Sequence, residues 1–342
     1  MQKGIQGEPV MFANVNRRTA ILALTTMLTI PAVPAVAQQF PPKLIKIVVA
    51  FGPGGTSDSV ARLYGQKMAE QLNTAVIVEN KPGGQQLLAI RAVRAAPPDG
   101  ATLHMAVGSA LVQNPALRKH LSYDPLKDFT LLGLAVTHPG VIFIDPQLPV
   151  HSIGELVAYS AAHPGELNYG SAGVGSAGHL HAEALLSLTG MKMTHIPYSS
   201  DSEVIREVIA GRVQMGIMTT LNTVSFVKSG KIRAIAVEAA QRLPYMPDVP
   251  TVAETDVKGL AGLEPHTFEG FVGPAGMPPT IVAQLNEAIN KTSAMPEVIQ
   301  RVHESFFSEP ATTTPSTFRE FLEKEIAKWK VFGKSVELPD LE

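Results

Sequence analysis

From residue 44 onward the chain alternates short apolar runs with longer amphipathic stretches, and no other feature narrows its fold so far. LIKIVVAF (44–51) reads as a buried strand and SVARLYGQKMAEQL (59–72) as a helix with one apolar face. AVIVEN (75–80), a helix near QLLAIRAVRAA (86–96) and ATLHMAV (101–107) repeat the pattern, the last entered through the turn Pro98-Asp99-Gly100. A loop carrying Tyr123-Asp124-Pro125 separates this series from a second, which begins at VIFID (141–145). There Ser152 and Glu155 form an S-x-x-E box opening a helix that stops at Pro164-Gly165. LNYGSA (167–172) reads as a strand, HLHAEALLSLTG (179–190) as a helix with Gly190 as its C-cap, and MKMTHIPY (191–198) as a strand. A helix over 202–211 has its own box at Ser200 and Glu203, and strands over 213–220 and 231–239 flank a short helix. After FEGFVGP (268–274) the remainder reads as largely helical, ending in an amphipathic helix with Phe318, Phe321, Leu322, Ile326 and Trp329 on one side.

Such alternation predicts an α/β protein whose parallel sheets carry helices on both faces. Two series predict two similar lobes, with the C-terminal helices returning to the first. The expected division sets 38–137 plus 266–342 as lobe 1 and 138–265 as lobe 2, with the ligand site in the cleft between them.

The segment ahead of residue 38 has a different character. Arg17-Arg18 precedes an apolar run over 20–37 that ends in Ala35-Val36-Ala37, the pattern of a signal peptide cleaved near Ala37. The run is short for a membrane span and contains Pro31 and Pro34. NRRT is a weak likeness to a twin-arginine signal, and Met11 is an alternative start. The chain is therefore expected to be exported to the periplasm. Residues 1–37 hold three basic side chains and one acidic one, so the net charge of −2 becomes −4 after their removal. That balance gives no footprint for nucleic acid or an anionic membrane surface. With no cysteine in 342 residues, disulfides, thiolate nucleophiles and thiolate metal ligands are excluded.

Two Gly-rich turns open helices. The first, FGPGGTSD, spans Phe51, Gly54, Gly55, Thr56, Ser57 and Asp58. A helix start presents unpaired N–H groups and partial positive charge, and glycine lets an anion approach them. The plain alternative is a tight strand-to-helix turn capped by Ser57 or Asp58. The second turn lies in GSAGVGSAGHLHAE (170–183), where Gly173, Gly175 and Gly178 fit G-x-G-x-x-G and Asp201 stands where a ribose-binding acid would. This supports an NAD(P)-dependent oxidoreductase as the rival reading, weakened because the motif lies mid-chain in an exported protein and leaves the first turn unused. Ser176 lacks the first glycine of a nucleophile elbow, and His179 and His181 are two apart on a helix and cannot chelate together. His195 lies on a strand, with nothing placing it near them. No catalytic residue, metal or cofactor is expected.

Residues 51–58, 171–179, 197–201 and 218–222 contain no Lys or Arg, and their only charged side chains are Asp58 and Asp201. An anion held there must be held by backbone N–H groups and hydroxyls. A carboxylate in the same place would repel it, so Asp58 either caps its helix facing away or pairs with an ammonium group on the ligand.

These residues carry a resemblance. IKIVVAFGPGGTSDSVAR, VIVENKPGG, PPDGATL, YDPLKDF (123–129), LNYGSAGVGSAGHLHAE, HIPY, GKIRAIAVEAAQRLPYMPDVPTVAE and VGPAGMPPTIVAQLN (272–286) resemble, in this order, the Bug-type periplasmic receptors of tripartite tricarboxylate transporters. The resemblance implies a type II, two-lobed Venus-flytrap fold that captures a small carboxylate for a membrane permease, acting as a monomer and without catalysis. A ligand-loaded sensor docking on a signalling partner shares the same fold and cleft. The resemblance also implies a ligand contact for the turn Phe51 to Asp58, for Ser171 to His179 from the other lobe, and for Tyr198, Thr219 and Phe271. Ser109, following the 101–107 strand, joins the candidate set. The sequence departs from the family pattern at Gln85-Gln86-Leu87-Leu88, Ser199-Ser200-Asp201 and Met218-Thr219-Thr220, all on the cleft side of the scaffold. A common dicarboxylate ligand is therefore not assumed.

Overall fold

The computed structural model describes residues 40–83, 86–174, 176–255, 257–263 and 266–335; the expected signal peptide over 1–37 lies outside them. In chain order the elements are β1 (Leu44–Val49), α1 (Thr56–Leu72), β2 (Ala75–Asn80), α2 (Leu87–Arg94), β3 (Thr102–Val107), a π-helical turn Ser109–Gln113, the one-turn α3 (Asn114–Leu117) and β4 (Phe129–His138). Then come β5 (Gly140–Ile144), α4 (Ile153–Ala162), β6 (Asn168–Ser171), α5 (Ala177–Thr189), β7 (Thr194–Pro197), α6 (Asp201–Ile209), β8 (Met215–Thr219), α7 (Thr220–Lys228) and β9 (Arg233–Glu238). The chain ends with β10 (Thr267–Pro274), α8 (Pro279–Ser293), α9 (Pro296–Ser305), β11 (Glu309–Pro310) and α10 (Pro315–Ser335).

Local chemistry sets many of these boundaries. Ser152 and Ser200 accept the N–H groups of Glu155 and Glu203, closing the first turns of α4 and α6. Gly190 ends α5 in the left-handed conformation that only glycine adopts freely. At α1 the boundary differs from expectation. The helix begins at Thr56 with Gly55 as N-cap and no side-chain cap, while Asp58 reaches back to the N–H of Gly54.

One sheet runs β11-β4-β10-β3-β1-β2 and the other β7-β6-β8-β5-β9. The chain crosses from the first to the second through Pro139, between β4 and β5, and returns between β9 and β10. These crossings correct the parallel-sheet expectation. β10 enters from the far end and pairs antiparallel with β3 and β4, and β5 is antiparallel to β8 and β9 for the same reason. The β1–β2, β1–β3, β6–β7 and β6–β8 pairs are parallel. The strand over 129–138 has no counterpart among the sequence expectations, and 268–274, to which they assign no element, lies in β10 ahead of the largely helical C-terminal part.

Each sheet is covered on both faces. In β1, Ile45, Ile47 and Val49 face Val60, Tyr64 and Met68 of α1 and Leu285 of α8, while Val48 faces Ile90 of α2 and Phe318 and Leu322 of α10. In β5, Ile142 and Ile144 meet Ile153, Leu156 and Leu185, while Val141 and Phe143 meet Val204 and Val208 of α6. Two-residue alternation thus splits each strand between two cores. Each such side chain contributes about 1.5–3 kcal/mol when fully buried. Phe318, Leu322, Ile326 and Trp329 of α10 are all buried, which holds the C-terminal helix on the first sheet.

Candidate functional site

The C-terminal ends of β1, β3 and β8 open onto one cavity of about 590 Å³, within the range of small-molecule sites. Antiparallel β10 starts where β3 stops, with Glu269 opposite Val107, so Thr267, Phe268 and Glu269 also line it. The helix that follows each of two parallel strands points its N terminus inward. Gly55, Thr56 and Ser57 come from α1, and Ser176, Ala177 and Gly178 from the start of α5. These opening N–H groups have no partner inside their helices. In α5 the Ser176 hydroxyl takes the N–H of His179 at 3.3 Å, leaving the two residues between them facing the cavity. No Lys or Arg lines the cavity among the described residues.

Of the residues singled out in the sequence, Phe51, Gly55, Thr56, Ser57, Ser109, Ser176, Gly178, Asp201 and Thr219 line this cavity. Ser109 arrives through the π-helical turn after β3, which also brings Gln113 to the wall and lets Gln86 donate to the Ser109 hydroxyl at 2.7 Å. Thr219 is the N-cap of α7.

The others lie elsewhere. Asp58 is buried with its carboxylate turned back, accepting from Gly54 N–H, from Arg62 Nε and Nη2 at 2.9 Å, and from Asn80 Nδ2 at 2.8 Å. The Arg62 hydrogen bond outweighs burial and holds its pKa at about 2. Gly54 shapes the turn at φ +83 without lining the cavity. Ser171 and His179 sit behind the second turn. There the Ser171 hydroxyl donates to Gly173 O and takes the N–H of His195 Nε2 at 2.7 Å, and the His179 ring stacks on His195 at 4.2 Å. Burial pushes the His195 pKa down to about 4. His195 is therefore beside His179 after all, as stacked packing. Gly173 bends the turn at φ +106, and Gly175 lies outside the described residues. Gly178, on the cavity wall, must also be glycine for packing, because a Cβ there would meet the Ile217 carbonyl at 2.5 Å. Tyr198 packs beside Val204 and Val213 on the α6 face of the second sheet. Phe271 is fully buried 5.7 Å from the Tyr64 ring and does not reach the cavity.

The sequence reading missed Gln113, His138, His266 and Glu269 on the cavity wall, and it met Asp201 only as a ribose-binding candidate. Ser57 Oγ donates to Glu269 Oε1 at 2.5 Å, and His138 Nε2 lies 3.6 Å from the same oxygen. Asp201 accepts from Asn222 Nδ2 at 2.7 Å, and burial raises its pKa. The available signal for Glu269 was a lone carboxylate inside an otherwise apolar strand.

Among the described residues one trio, His181, Glu238 and His266, brings metal-ligand atoms within 4.8 Å of one another. These atoms already satisfy each other. His181 Nδ1 meets Glu238 Oε1 at 2.9 Å and His266 Nδ1 meets Oε2 at 2.8 Å. Burial raises the Glu238 pKa, but the two histidines outweigh it and hold the pKa at about 2.

The architecture has known counterparts. The UPF0065 protein in the tcbD-tcbE intergenic region of Pseudomonas sp. (strain P51) is 30% identical over 319 residues, covering 93% of this chain and 94% of its own. The solved structure of R. palustris Rpa4515 with adipate is 29% identical, covers 87% of this chain and 98% of its own, and superposes with a TM-score of 0.72. MatC from Rhodopseudomonas palustris with bound malate is 30% identical, covers 86% of this chain and all of its own, and gives a TM-score of 0.68. The fold is the two-lobed one of periplasmic binding proteins. Residues 60–338 match the family described as tripartite tricarboxylate transporter family receptor, and with relatives alike over nearly the whole described fold, the chain belongs to that family.

Proposed function

We propose that this receptor captures a small carboxylate-bearing molecule in the cavity between its two sheets and hands it to the permease subunits of a tripartite transporter. One observation carries the reading: the N termini of α1 and α5, fed by strands of different sheets, line the same cavity, and no Lys or Arg joins them there among the described residues. Amide dipoles aimed at one point can hold a carboxylate without a cationic side chain. The adipate and malate in the two R. palustris structures supply the ligand class. Residues 38–137 with 266–342 act as one lobe and 138–265 as the other, closing on the ligand as a monomer in the periplasm after removal of residues 1–37. No helix among the described residues is long and apolar enough to cross a membrane.

Ligand that binds only the folded state raises the melting temperature by mass action. Thermal shift and calorimetry with adipate, malate and a panel of mono-, di- and tricarboxylates test the reading. A dose-dependent rise with at least one carboxylate is expected. No rise with any, together with no co-purified acid, overturns it.

A further inference from the structure

We propose that Glu269 selects a ligand bearing a protonated nitrogen at the end opposite its carboxylate. This rests on the receptor reading above and names the substrate class within it. Glu269 is 2% exposed and lines the cavity. Its Oε1 takes the Ser57 hydroxyl, but its Oε2 has no hydrogen-bond partner in the protein. His138 Nε2 and Gln113 Oε1, also on the cavity wall and buried, are likewise unpartnered.

Glu269 Oε2 and Gln113 Oε1 can only accept. The Ser308 hydroxyl donates to Phe306 O at 2.8 Å, so its lone pair must take the Nδ1–H of His138 at 2.7 Å. That leaves Nε2 as the ring nitrogen turned toward Glu269 Oε1, 3.6 Å away. Asp201 adds a second carboxylate to the lining. A buried acceptor left unmet is destabilising, and more so when charged. No lysine or arginine on the wall supplies the missing donors among the described residues. The cavity thus has a donor wall of helix N termini and an acceptor wall on β10 and the π-helical turn. A dicarboxylate satisfies the first and is repelled by the second. An amino-carboxylate satisfies both, since an ammonium offers three donors and a countercharge.

The test uses matched pairs in which one terminal carboxylate is replaced by ammonium: succinate with β-alanine, glutarate with γ-aminobutyrate, and adipate with δ-aminovalerate. Each is titrated calorimetrically into the purified protein and into Glu269→Gln, which keeps an oxygen for Ser57. The amino member of at least one pair is expected to bind about tenfold tighter or better, with that preference lost in Glu269→Gln. Dicarboxylates binding equally or better in every pair would overturn this inference and leave the receptor reading standing, as would an unchanged preference in the variant. Silence from all six, with no other carboxylate binding, would remove both. If Glu269→Gln melts before it can be titrated, the wild-type ratios decide alone.

Discussion

Gly140 and Glu238 are paired across β5 and β9, and a Cβ on the glycine would lie 2.0 Å from Oε2 of the glutamate. The same Cβ would meet the His266 side chain at 2.9 Å. The missing side chain makes room for a buried carboxylate whose two oxygens take the N–H groups of His181 and His266. Gly140→Ala should expel the carboxylate from both partners. A buried carboxylate stripped of its partners costs about 3–5 kcal/mol, and urea denaturation with unchanged slope would read that loss.

Gly55 offers the opposite case. Its φ of −78 is open to any residue, and a Cβ there has only Gly52 O near it, at 3.8 Å. Gly55→Leu should keep the fold to within about 1 kcal/mol. The added side chain would stand among the α1 amides, and carboxylate affinity in calorimetry should fall about tenfold or more. Gly54→Leu would mix this with strain of about 1–2 kcal/mol, because Gly54 holds φ +83.

Asp58 ties Gly54 of the first turn to Arg62 of α1 and Asn80 at the end of β2 without lining the cavity. Its pKa drops from 3.8 to about 2 in the fold, so the unfolded chain binds the proton first as pH falls. The stabilisation is complete above the unfolded value and disappears as pH passes down through the folded one. Asp58→Ala should lower the urea midpoint at neutral pH, and the gap from wild type should close at strongly acid pH.

His104 titrates with the opposite charge but the same direction of loss. Burial pushes its pKa down to about 4 from 6.5, while Nδ1–H donates to Val48 O at 2.9 Å. Between those values the unfolded imidazole is protonated and the folded one is not. Stability should fall by up to about 3 kcal/mol across that window and then level. His104→Gln, which keeps an amide donor for Val48, should flatten this part of the profile in urea titrations.

The sequence showed best what neighbours along the chain decide. Ser152, Ser200 and Gly190 mark helix ends through bonds spanning three or four residues, and each appears where its chemistry placed it. Strand direction was hidden, because β5 and β10 are reversed by crossings whose consequences lie far away in the chain. Both Gly-rich turns reach one cavity, but which of their residues face it depends on tertiary register. Glu269 and Phe271 are two apart on β10, a spacing that puts side chains on one face of a regular strand. The shift in pairing between Glu269 and Gly270 is taken up by an extra residue in β4, so both side chains stay on the face toward α1 and differ only in their place along the strand. Glu269 meets Ser57 at the cavity, whereas Phe271 meets Tyr64 in the core. The Ser57–Glu269 bond joins residues 212 positions apart, beyond any local pattern.

The two walls of the cavity differ in what mutation can do to them. The helix-start wall is main chain, indifferent to substitution unless bulk is added, whereas the β10 wall is made of exchangeable side chains. Point changes in one strand can therefore re-address the receptor to new cargo, while the grip on the acid group is inherited intact.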